Sequence, residues 1–117
     1  MSEPIPAGGL AQPGNLVLRR VREPDGCLLL CLYGELDLAS SAALEVELRM
    51  LGSVDSERVM IDLSGLEFMD VAGVQALMRA QQYVVESGGR FSLLRGPVNV
   101  QRVFELTGTL RRFRFED

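Results

Sequence analysis

A chain of 117 residues with 47% hydrophobic and 24% charged side chains has the composition of one globular domain with one core. It contains no His and no Lys, so all twelve basic residues are Arg, which excludes an imidazole base, a Schiff-base amine and a P-loop lysine. Two cysteines without a histidine argue against a zinc site, a net charge of −4 argues against nucleic acid, and neither a metal nor a cofactor is expected.

Residues 1–15 are rich in Pro, Gly and Ala with little to bury, and are expected to form a flexible N-terminal tail to a domain at 16–117. They carry neither a basic n-region nor an apolar h-region, and no apolar run approaches the roughly 20 residues of a membrane helix, so a cytoplasmic chain is expected. Leu16–Arg22 reads as a first strand, its arginines as a solvated face, and Glu23–Gly26 as a turn. Cys27–Gly34 is apolar without alternation, the pattern of a central strand covered on both faces. Its two cysteines would stand about 13 Å apart, too far for a disulfide, and are read as small buried residues.

The period changes at 40–51, where Leu44, Leu48 and Leu51 share a helical face, Glu45 and Arg49 form an i,i+4 pair outside it, and Ser40 or Ser41 would supply the cap. Arg58–Leu63 reads as the next buried strand, running into a loop and then a helix over 71–87. Gln75, Arg79, Gln82 and Glu86 line its polar side, Val74, Leu77, Met78, Val84 and Val85 its buried side, and Gly88-Gly89 its end. Arg90–Leu94 is a further strand. Pro97 opens a last helix that buries Val100, Val103, Phe104 and Thr107 and stops at Gly108. The closing alternation of Phe113 and Phe115 with Arg112 and Arg114 fits a short strand or an extended surface segment. Right-handed crossovers make the later strands parallel. The expected fold is a single α/β domain: a mixed, mostly parallel sheet of four to five strands with helices mainly on one face.

In such sheets, sites lie beyond the carboxyl ends of the strands. That edge collects Asp37, Ser64 and the stretch Glu67–Met78. Asp70 can cap the helix that follows, whose start favours an anion, yet Val71, Ala72 and Gly73 bring no hydroxyl to carry a phosphate. Ala72 continues the polar stripe of Gln75 and Arg79, so its methyl should face solvent or a partner. A plain reading makes Asp70 an N-cap, Asp37 a turn or cap residue and Ala72 a good helix former.

Taken together, "GELDLASSAALE", "VMIDLSGLEFMDVAGVQALM" and "GGRFSLLRGPVNVQRVFELTGTLRRF" resemble the STAS domain, specifically the anti-sigma factor antagonist family, over about residues 16–115. The resemblance implies a non-catalytic protein that binds an anti-sigma factor, often a serine kinase of ATPase fold, and so frees a sigma factor. In the family a Ser or Thr at the start of the second helix is phosphorylated to switch binding off, in the pattern Asp-Ser-Ser-Gly or Asp-Ser-Thr-Gly. Here the pattern is Asp70-Val71-Ala72-Gly73, with Ala72 at the phosphoacceptor position. The expected contact surface is Asp37, Ser64, Met69, Asp70, Val71, Ala72, Gln75 and Arg79, and Ser64 or Thr107 would be the place for a displaced switch. Two other readings are an accessory STAS subunit of a lipid transporter or signalling assembly, and a small phosphate-handling enzyme, for which no base, nucleophile or glycine-rich loop is in place.

Overall fold

The computed structural model describes residues 11–12, 15–51 and 58–116, the side chains of 11, 12 and 51 excepted. Six strands lie in sequence order across one sheet: β1 (Ala11–Gln12), β2 (Leu16–Arg22), β3 (Leu28–Leu36), β4 (Arg58–Met69), β5 (Arg90–Leu94) and β6 (Phe115–Glu116). The first three pair antiparallel and the rest parallel. The expected strands form the body of this sheet, and two-residue strands are added at its edges. One of these, β1, falls within the segment expected to be a tail, whose residues 1–10 lie outside the described ones.

Three helices fill the parallel crossovers: α1 (Leu38–Leu51), α2 (Val71–Glu86) and α3 (Val98–Leu106). They share one face of the sheet. Arg20 of β2 reaches Glu47 of α1 at 2.8 Å, and Phe115, in register with Leu93, stacks edge-on against Phe104 of α3. Between sheet and helices lies the core, built from Leu16, Leu18, Leu30, Leu32, Ile61, Leu63 and Leu93 beneath Leu44, Leu48, Val74, Leu77 and Phe104. The side chain of Leu51 lies outside the described residues.

Consequently β3 is covered by helices on one face only, not on both as its composition suggests. Leu28, Leu30 and Leu32 are buried beneath the helices, whereas Leu29 and Tyr33 on the other face are half-buried. Cys27 and Cys31 are both buried and free, and burial raises both thiols above the ordinary cysteine value.

The stretch 64–69, expected as a loop, is strand. Its apolar residues fall out of alternation because β4 carries two bulges, marked by register shifts opposite Cys31/Tyr33 and Gly34/Glu35. Each adds a residue without turning the following one away from the core, so burial runs Leu63, Leu66, Met69, three apart rather than two. A strand of this kind has no period-2 signature.

Helix ends account for the other differences. Helix α1 starts at Leu38 rather than at residue 40, and its cap is Asp37: Ser40 N–H donates to Asp37 Oδ1 at 3.1 Å while Asp37 N–H donates to Ser40 Oγ at 3.0 Å. Ser40 thus occupies the answering position of a reciprocal capping pair. Glu45 pairs with Arg79 of α2 and not with Arg49. Helix α2 ends as expected, with Gly88 at φ +87° and bonds from Gly88 N–H to Val85 O and Gly89 N–H to Val84 O. Val85, however, is 56% exposed because it points away from the sheet. Pro97 is the cap of α3 instead of its first residue. The closing segment is no surface strip: Phe113 is buried and packs edge-on against Phe104 at 5.3 Å.

Candidate functional site

Leu36 and Met69 are register partners at the ends of β3 and β4, so Asp37 and Asp70 follow side by side on neighbouring strands. Each carboxylate caps the helix it precedes. Asp70 Oδ1 accepts from Gly73 N–H at 3.1 Å, and the Asp70 N–H donates to Leu36 O at 3.2 Å, binding the start of α2 to the end of β3. The first turn of α2 lies so close to β3 that a Cβ on Gly73 would come within 2.6 Å of Leu36 O and of Met69 Cγ. Two helix starts with their positive dipole ends are thereby fixed on one rung of the sheet, each already holding a carboxylate of its own chain.

Of the remaining expected contact residues, Val71 is 52% exposed, Ala72 is half-buried, and Gln75 and Arg79 are exposed further along α2. Arg79 is engaged across the helix pair with Glu45. Met69 is buried, its side chain turned under Gly73, so it supports the edge from below. Ser64 is exposed within β4, six residues ahead of Asp70, its N–H bonded to Asp62 Oδ1 at 2.9 Å. Thr107 caps the far end of α3, where its hydroxyl donates to Val103 O at 2.7 Å. The structure therefore brings together Asp37, Asp70, Val71 and Ala72, and leaves Ser64 and Thr107 elsewhere.

Three residues that periodicity does not flag join that edge. Leu38 is 77% exposed just after Asp37, Phe68 is 45% exposed just before the end of β4, and Val98 is 74% exposed at the start of α3. Helix α3 is tied to the same edge by Asn99 Nδ2, which donates to Glu67 O at 2.8 Å. Four large apolar side chains, counting Val71, thus ring the capped helix starts in water. An apolar set of this kind at a sheet edge marks a protein-binding surface. Among the described residues no three Cys, Asp or Glu side chains gather to hold a metal, and no helix is long and apolar enough to cross a membrane.

An open sheet advancing in one direction, with one helical layer and a capped second helix at its carboxyl edge, defines a small non-enzymatic type of interaction domain. The family model described as Mlab, STAS domain matches residues 19–111, and the chain belongs to the STAS family. It is 30% identical over 89 residues to BtrV of Bordetella bronchiseptica, which bears the provisional name of an anti-sigma factor antagonist, across 76% of this chain and 77% of that one. It is likewise 30% identical over 94 residues to RsfB of Mycobacterium tuberculosis, an anti-sigma-F factor antagonist, across 80% and 76% of the two chains. An anti-sigma factor antagonist from Mycobacterium paratuberculosis superposes with a TM-score of 0.77 at 24% identity, across 91% and 89% of the two chains.

Proposed function

We propose that this chain is an anti-sigma factor antagonist that docks the Asp37/Asp70 edge onto an anti-sigma factor of the serine-kinase type and so releases a sigma factor. The observation that supports it most is the ring of Leu38, Phe68, Val71 and Val98 around two capped helix starts, with a methyl group at Ala72. A phosphoryl group there would stand beside the carboxylate of Asp70, and would have to be desolvated among apolar side chains. Alanine removes that possibility, so the chain is held permanently in its binding form.

The test is capture of the partner from the native cell, followed by titration of wild type, Ala72→Ser and Ala72→Glu with and without ATP. Ala72→Glu should weaken binding by about 2–4 kcal/mol, the order for an unpaired charge in an interface, with the fold intact. Ala72→Ser should bind as wild type and, with a working kinase in the partner, take up phosphate and then release. Equal affinity for Ala72→Glu would remove the edge from the interface. Phosphate on wild type at Ser64 or Thr107 with loss of binding would mean a displaced switch. Recovery of a transporter ATPase instead of a kinase-fold protein would assign the chain to a transport assembly.

A further inference from the structure

The face of the sheet away from the helices carries its own pattern. Across β2, β3 and β4 the register sets Val21, Leu29 and Met60 in one row and Arg19, Cys31 and Asp62 in the next. No described helix crosses this face, and its half-buried side chains Val21, Leu29 and Met60 stand apart from the core cluster. Its two charges are conspicuous in that setting. Arg19 has no carboxylate partner among the described residues, and Asp62 accepts only the Ser64 N–H, with no cation beside it. They flank β3 on opposite sides, about 10 Å apart across two strand spacings, too far to satisfy each other.

This arrangement is self-complementary. A two-fold axis running along β3 would turn a second sheet onto the first with β2 above β4 and β4 above β2. Each Arg19 would then meet the Asp62 of the other copy, Val21 would meet Met60, and Leu29 and Cys31 would lie on the axis. Sheets pack face to face in this aligned manner, and an isologous contact is the simplest closed assembly. We propose that this face pairs two copies of the chain, joined by two reciprocal Arg19–Asp62 pairs around an apolar centre. The carboxyl edge proposed to bind the anti-sigma factor stays open in both copies, so the inference stands independently of that function.

The experiment is sedimentation of wild type, Arg19→Glu, Asp62→Arg and an equimolar mixture of the two variants, with circular dichroism to follow folding. Wild type should show a concentration-dependent dimer. Each variant alone sets like charges against each other and should dimerise at least tenfold more weakly. In the mixture both contacts become opposite-sign again, and a heterodimer of near wild-type affinity should form. If Asp62→Arg fails to fold, Asp62→Asn keeps the acceptor for Ser64 N–H and should still weaken the dimer. A wild type that remains monomeric throughout overturns the proposal. So does a dimer that ignores both charge reversals, or a mixture that stays monomeric. Observation of the Met60 methyl resonance closes the remaining case: a shift on adding anti-sigma factor but not on raising chain concentration gives the face to that partner and refutes the pairing of copies.

Discussion

Gly73→Ala sets two effects of opposite sign against each other. Alanine within a helix is worth about 1 kcal/mol over glycine, so propensity alone predicts stabilisation. The structure opposes it, since the new Cβ would lie 2.6 Å from Leu36 O and from Met69 Cγ and 3.0 Å from Leu36 Cγ. The methionine can swing aside. The carbonyl cannot, because it accepts the Asp70 N–H and its residue is in register with β4. Either α2 moves outward or the cap breaks, at the roughly 1–3 kcal/mol typical of an overpacked site. The balance is a net loss of about 1–2 kcal/mol, which for a domain of this size lowers the thermal midpoint by roughly 5–10 °C. Melting followed by circular dichroism, with Gln75→Ala as a surface control expected to stay within about 0.5 kcal/mol, gives the answer. A Gly73→Ala protein that melts higher than wild type would refute the close approach of α2 to β3, and with it the rigid edge on which the binding surface rests.

Asp37→Ala should cost about 1 kcal/mol in urea unfolding, because Ser40 N–H loses its acceptor. Phe104→Ala should cost about 3–5 kcal/mol, as it empties the centre of a three-ring cluster with Phe113 and Phe115, and a loss below 1 kcal/mol would contradict that packing. Burial raises the thiols of Cys27 and Cys31 in the folded chain, so the unfolded chain ionises first as pH climbs. Their contribution to stability is complete below the ordinary thiol pKa and is lost as pH rises through the higher native values. The urea midpoint should therefore fall between pH 8 and pH 10 more in wild type than in a Cys27→Ala/Cys31→Ala variant.

Much of this architecture is legible in the chain because local signals agree with the packing. Leu16–Arg22 is read to the residue since a Pro-Asp-Gly turn bounds it, and α2 is placed by Asp70 and by Gly88. The second half of β4 is hidden, as a bulged strand loses the alternation by which strands are recognised. At α1, Ser40 resembles a cap because serine suits both members of a reciprocal pair, and only coordinates distinguish them. The family motif locates Asp70, Val71 and Ala72 as an edge. Leu38, Phe68 and Val98 escape notice because a single apolar residue outside a periodic face gives no sign of whether tertiary packing will cover it.

The bulges in β4 make the segment from Asp62 to Met69 a ruler. Its side chains can vary widely, but its residue count sets the height at which the chain leaves the sheet, and hence whether Asp70 arrives level with Asp37. Deleting one residue there would keep Leu66 inward while drawing the whole start of α2 back by one rung, about 3.3 Å. The Asp70–Leu36 bond would be lost and the two helix starts would no longer form one flat platform. Among sequences that share this platform, substitutions in the segment should be plentiful and length changes scarce.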